Sequence, residues 1–222
     1  MEVGRLFKES ILVVKDNTII VFPPILASFL TNVLLIVTMG SMISAGMEQK
    51  KLSVTLLLVV TLISFGIQSL SHAITVVMAS QVLRENRCSL KYGFTETMKR
   101  FGSIFSAGVL LGILFTIGMM LFVIPGLAVL YIFMFTFVAI ILKSLHTLEA
   151  MKASYQVVRA NITDTLFLYL SLLGTSLLVG IVGRIFLKIP LLGQIINALL
   201  IGALFAFVAV VLVKSFRLLE AG

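Results

Sequence analysis

A chain of 222 residues that is 60% hydrophobic and only 12% charged, with a mean hydropathy of +1.19, has too little polar surface to coat a water-facing globule, so lipid is its principal solvent. The formal charge of +8 comes from 17 Lys and Arg against 9 Asp and Glu, and the basic residues sit between apolar runs, where they meet head groups rather than nucleic acid. The single cysteine, Cys88, excludes an intrachain disulfide and a zinc-finger site.

Residues 3–17 are too charged to span a membrane, yet Val3, Phe7, Ile11 and Val14 recur at helical spacing with Leu6 beside them. This pattern predicts an amphipathic helix lying in the interface. The first span is predicted at Thr18–Gly40, with Pro23 and Pro24 bending or delaying its start. It is longer than the roughly 7–15-residue apolar region of a cleaved signal peptide and is expected to remain as an anchor. A polar loop over 41–51 leads to a second span at Leu52–Ala79, long enough to tilt or protrude. The charged segment 81–102 predicts a second interfacial helix at 91–101, with Phe94, Met98 and Phe101 on one face and Glu96 placed to pair with Arg100.

The third span is predicted at Ser103–Ile124, a tight turn at Pro125-Gly126, and the fourth span at Leu127–Leu145. A third interfacial helix covers Leu148–Ala160, with Thr147 as N-cap and Glu149 in its first turn. Its apolar stripe is Leu148, Met151, Tyr155 and Val158; His146 is a helix-end or head-group residue. The fifth span is Ile162–Gly183, a loop with Ile189-Pro190 follows, and the sixth is Ile195–Lys214, with Asn197 near its outer end as a cap or bridge. Thirteen of the 17 Lys and Arg fall on the side of both termini, which the positive-inside rule makes cytoplasmic. The location this implies is the inner (plasma) membrane.

The first and third interfacial helices share a pattern beyond amphipathicity. Lys8-x-Ser10-x-x-Val13-Val14-Lys15-x-Asn17 aligns without gaps to Lys152-x-Ser154-x-x-Val157-Val158-Arg159-x-Asn161, and Ile124-Pro125 recurs as Ile189-Pro190. The expectation is three parallel units, each an interfacial helix plus a two-span hairpin.

The run from Ile124-Pro125-Gly126 to Leu148-Glu149-Ala150-Met151-x-x-Ser154, closing on Val158-Arg159-x-Asn161, carries a resemblance, as does the opening FKESILVVKDNTIIVFPPIL. The chain resembles, over nearly its whole length, a group of prokaryotic six-span membrane proteins of unassigned function that includes the membrane domain fused to some glycerophosphodiester phosphodiesterases. The resemblance implies a six-helix membrane domain and brings no catalytic residues, because the phosphodiesterase chemistry belongs to a separate soluble domain.

No Asp, Glu, Lys or Arg falls in the middle of a predicted span, which argues against a proton- or sodium-coupled transporter with a charged central site. In the second span Thr61, Ser64, Gln68, His72 and Thr75, with Ser71 beside them, form a polar stripe. Interhelical hydrogen bonding is the commoner use of such a stripe and an intramembrane polar site (Ser64, Gln68, His72, Thr75) the rarer. Gly108-x-x-x-Gly112, Ser176-x-x-x-Gly180 and Gly202-x-x-x-Ala206 fit close helix packing. No nucleophile–base motif, phosphate loop or metal-ligand cluster is present, so no enzyme activity and no cofactor are expected.

The sequence therefore predicts an all-α integral membrane protein over 1–222, one polytopic domain of six spans and three amphipathic helices on the cytoplasmic face. Its basic collar for anionic head groups is Arg5, Lys8, Lys15, Arg84, Arg87, Lys91, Lys99, Arg100, Lys152 and Arg159. The leading expectation is a lipid- or partner-binding scaffold. The alternatives are a small permease or channel for uncharged or zwitterionic solutes, and an accessory subunit of a larger membrane complex.

Overall fold

The computed structural model describes residues 2–44, 50–186 and 192–221. Among these, all regular structure is helical: α1 (Val3–Asp16), a 3-10 turn (Thr18–Val21), α2 (Phe22–Ser44), α3 (Lys50–Glu85), α4 (Leu90–Met98) and α5 (Phe101–Leu121), then α6 (Val123–Ile132), α7 (Thr136–Lys143), α8 (Thr147–Ala160), α9 (Ile162–Phe186) and α10 (Leu192–Ala221). Six stretches are long and apolar enough to cross a bilayer: Thr18–Ser41, Val59–Glu85, Phe101–Leu121, Val123–Lys143, Ile162–Phe186 and Leu192–Glu220. The paired prolines fall in the first turn of α2, after the 3-10 turn, where their missing N–H groups cost nothing. At 36 residues, α3 is about 54 Å long, more than the roughly 40–45 Å of a whole bilayer. The middle of the first loop and the Ile189-Pro190 segment lie outside the described residues.

Antiparallel hairpins pair α2 with α3, α5 with α6, and α9 with α10. The helices α3, α7 and α10 touch one another at the centre. The core is concentrated where they meet: Ala73, Val76, Met78, Val138, Ile140, Val210, Val213 and Phe216 are sealed there. This is the end of the bundle that carries α1, α4 and α8. Each of these short helices lies on a central helix, α1 on α10, α4 on α3 and α8 on α7. At the opposite end the side chains face outward, with Met120 at 83% and Ile124 at 78% exposure. Lipid must cover that surface.

Three details of the sequence reading are corrected. The turn between the third and fourth spans is at Phe122, whose backbone is extended, and Pro125-Gly126 sits in the first turn of α6. There it has a packing role: a Cβ on Gly118 would lie 2.8 Å from the backbone N of Gly126, so α5 and α6 touch backbone to backbone. Second, His146 is the N-cap of α8, and its backbone N–H donates to the Glu149 carboxylate at 3.2 Å. Thr147 instead donates its hydroxyl to Ser103 O at 3.0 Å, tying α8 to α5.

Third, the apolar stripes expected in the acyl boundary are divided between that boundary and the bundle. In α8 the buried residues are Ala150, Met151, Ser154 and Val158, while Leu148 and Tyr155 are exposed. In α1 they are Val3, Leu6 and Ser10, while Ile11 is exposed. In α4 Gly93 and Thr97 are buried against α3 and Phe94 is exposed; Phe101 belongs to α5. Ser10, Gly93 and Ala150 let each helix approach the bundle, and Ile11, Phe94, Leu148 and Tyr155 are left for the acyl boundary.

The fourth span is not one helix. It breaks at Phe133–Phe135 between α6 and α7, with neither Pro nor Gly at the break. Backbone groups freed at membrane depth must find partners within the protein. Ser154 of α8 supplies them: its hydroxyl donates to Ile132 O at 2.9 Å and accepts from Phe135 N–H at 3.1 Å. The Thr136 hydroxyl beside the break is buried with no partner.

The two aligned serines therefore differ in consequence. Ser154→Ala orphans two backbone groups and is expected to lower stability by about 1–3 kcal/mol. Ser10, fully buried, bonds only to Leu6 O of its own helix, so Ser10→Ala should cost less. Detergent-denaturation midpoints of the two variants in lipid nanodiscs check the ordering. A second prediction concerns Glu9, whose carboxyl is held below its ordinary value of 4.5 by the hydrogen bond from Lys214 and then by that from Arg5. A carboxyl so depressed supports docking of α1 on α10 above its ordinary value and loses that support as the pH falls through the lowered one. A spin label at Leu12→Cys should gain mobility below pH 4.5, and Glu9→Gln should remove the pH dependence.

Candidate functional site

The polar stripe of α3 turns toward the other helices. Thr75 and Ser71 are almost fully buried, and Ser64, Gln68 and His72 are half-buried. Thr75 returns its hydroxyl to Ser71 O of the same helix at 2.8 Å and is thereby satisfied. Gln68 crosses to α2 and donates from Nε2 to Thr31 Oγ1 at 3.3 Å. The direction is fixed by bookkeeping: Thr31 spends its one hydroxyl hydrogen on Ala27 O at 2.8 Å, so it can only accept from Gln68. The Gln68 Oε1 is left as a free acceptor. The Ser64 and Ser71 hydroxyls are buried without partners. His72 has no hydrogen-bonded partner among the described residues, and its ring meets Phe137 of α7 edge-on at 5.4 Å between centroids.

Two clefts adjoin at His72. One, of about 320 Å³, includes Pro24, Phe65, Gln68, Ser69, Ser71 and Gly108 in its walls. The other, of about 440 Å³, includes Met134, Tyr169, Leu172, Ser176 and Val208. His72, Leu111, Leu130, Phe137 and Phe205 border both. Among the described residues no Lys, Arg, Asp or Glu lines either one. Of the four intramembrane positions singled out in the sequence, Gln68 and His72 share a cleft, while Ser64 and Thr75 lie outside both. Thr31, Ser69 and Phe137 were missed, because nothing local in α2 or α7 signals which of their residues meets the α3 stripe.

The small-residue motifs divide in the same way. A Cβ on Gly108 would fall on Ser69 of α3, and one on Gly202 would fall on Ile25 of α2, so both glycines mark close crossings. Gly180 has open space before it and marks none. Gly183 of α9 lies against the Asn197 side chain, so Asn197 bridges the last hairpin.

All ten basic collar residues lie at the end of the bundle that carries α1, α4 and α8. Nine are exposed and Arg100 is half-buried. Three have acidic partners: Arg5 pairs with Glu9 at 3.0 Å, and Lys99 and Arg100 share Glu96. Arg100 also donates to Ser144 Oγ at 2.7 Å, joining α4 to the end of α7. Lys8, Lys15, Arg84, Arg87, Lys91, Lys152 and Arg159 have no ion-pair partner among the described residues. Arg84 and Arg100 border one polar cleft of about 180 Å³, but Glu85 and Glu96 share it, so it is no simple anion site. Other charges at this end hold the bundle together, as in the pairs Lys214–Glu9 and Lys143–Glu220.

Among the described residues no three His, Cys, Asp or Glu side chains come together in a way that would hold a metal ion. Comparison with family models, curated proteins and solved structures finds no match to this chain.

The Gln68–Thr31 bond is a measurable link between α2 and α3. Gln68→Leu and Thr31→Val should each lower stability by about 0.6–1.7 kcal/mol, the range of such contacts in membranes. The double variant should cost clearly less than the sum, as coupling through one bond requires. A double-mutant cycle in nanodiscs provides the check.

Proposed function

We propose that the protein is a non-enzymatic integral membrane protein that binds anionic lipid head groups through its three amphipathic helices, on the cytoplasmic face of a prokaryotic inner (plasma) membrane. The observation that carries this reading is the placement of seven basic side chains without acidic partners around one end of a six-span bundle. On that face, solvated cations attract anionic head groups by about 1 kcal/mol each. The same helices expose Ile11, Phe94, Leu148 and Tyr155, apolar side chains suited to the acyl boundary next to those head groups. The positive-inside count supports cytoplasmic termini.

A three-unit architecture belongs to this reading. Each amphipathic helix docks on the second span of the unit before it, with the first unit closing on the last: α4 on α3, α8 on α7, α1 on α10. That circular order supports three parallel repeats around the central trio α3, α7 and α10. The likeness to the six-span prokaryotic group described from the sequence is compatible with the same domain plan. A second reading, a small permease for uncharged or zwitterionic solutes, draws support from the charge-free clefts at His72.

The test is native mass spectrometry of the protein released gently from its own membrane. Co-purifying phosphatidylglycerol or cardiolipin is expected, with affinity about thirtyfold weaker after Lys152→Gln and Arg159→Gln together. Unchanged lipid binding in that variant would reduce the collar to a topology signal. A stoichiometric protein partner in place of lipid would make the chain an accessory subunit of a complex.

A further inference from the structure

The clefts at His72 have the character of a binding site. Their walls are almost wholly apolar, and Gln68 and Ser71 line the first cleft beside His72, which borders both. Ser71, 6% exposed, lines the first cleft with a hydroxyl that has no partner. His72 borders both clefts, and a neutral imidazole offers one donor and one acceptor. Gln68 gives one of its two amide N–H groups to Thr31 and keeps Oε1 for another donor.

We propose that this double cleft binds an uncharged single-chain amphiphile, with a hydroxyl-bearing head among His72, Ser71 and Gln68 and its hydrocarbon chain along the apolar walls. The head must be neutral, because among the described residues no ionised side chain lines either cleft and a lone charge at membrane depth is expensive. A head that both gives and takes a hydrogen bond matches the site: Gln68 Oε1 is an acceptor, and Ser71 and His72 can each donate. A long-chain alcohol and a protonated fatty acid meet both conditions. A pure hydrocarbon meets neither, and it would leave Ser71 unsatisfied. The chain runs along Leu111, Leu130, Phe137 and Phe205, the residues common to both clefts. This site is separate from the basic collar in chemistry and position, and either can fail without the other.

The experiment uses the full chain in phosphatidylcholine nanodiscs, whose zwitterionic lipid gives the collar no anionic ligand. The probe is hexadecanol carrying a diazirine in its chain, photolysed and mapped by peptide mass spectrometry. Labelling is expected on the segments 111–137 and 205–208. Unlabelled hexadecanol should compete with it, and hexadecane and hexadecyl sulfate should compete about tenfold less well. His72→Leu should weaken hexadecanol competition by about tenfold and His72→Gln, which keeps a donor and an acceptor, should largely preserve it. Should His72→Leu fail to fold, Ser71→Ala carries the same expectation with less disturbance. Labelling confined to the lipid-facing side chains would overturn the proposal. So would equal competition by hexadecane, or indifference to both the His72→Leu and Ser71→Ala changes.

Discussion

In hydrocarbon a backbone amide or carbonyl without a partner is costly, and nothing in the solvent relieves it. That constraint explains why six of the predicted segments are helices and why their interruptions are so few. It also explains the role of α8 where the constraint is locally broken. The fourth span opens at Phe133–Phe135, and Ser154 closes the account for Ile132 O and Phe135 N–H together. A helix that sequence pattern assigns to the membrane surface thereby becomes part of the interior. Its Ser154 is fully buried, and Ala150 on the same face is too.

The rest of the architecture follows from the same economy of close approach. Where α1, α4 and α8 meet the bundle, Ser10, Gly93, Thr97, Ala150 and Ser154 lie among the buried residues, so backbones lie near the central helices. Of their large apolar residues, Ile11, Phe94, Leu148 and Tyr155 turn to the acyl boundary, while Leu6 and Met151 join the core. Packing is dense at this end and thins toward the other, where Met120, Phe122 and Ile124 stand exposed. Between the two regimes the α3 stripe meets incomplete packing, and the clefts at His72 are the result. A polar stripe in a tightly packed helix is consumed by interhelical bonds; here Gln68 is consumed in part and Ser71 and His72 are not.

Much of this was legible in the sequence. Hydropathy placed all six spans, because roughly twenty apolar residues in a row leave few alternatives. The Lys8–Asn17 and Lys152–Asn161 match pointed to the two serines that the fold buries. The Glu96–Arg100 pair followed from their spacing of four. What was not legible depends on partners distant in the chain. The break in the fourth span has no local mark, since its cause is the hydroxyl of a residue nineteen positions on. Pro125-Gly126 looked like a turn because that pair commonly makes one; Gly126 is needed instead where α6 crosses Gly118 of α5. The apolar stripes were assigned to the acyl boundary, and Leu6, Met151 and Val158 meet the bundle instead, because hydrophobic periodicity does not distinguish a bundle from a lipid tail as neighbour. The clefts were invisible for a related reason: the α3 stripe can be read, but the walls opposite it come from six other helices.

The central claim is that α1, α4 and α8 share one membrane face, opposite the α5–α6 turn. The most direct test is labelling with a membrane-impermeant maleimide in oriented vesicles, using single cysteines introduced in a Cys88→Ser background. Lys8→Cys, Arg87→Cys and Lys152→Cys should all react from one and the same side alone, and Phe122→Cys from the opposite side alone. Reaction of any one of the first three from the other side, or of Phe122→Cys from the same side as they do, would contradict the account.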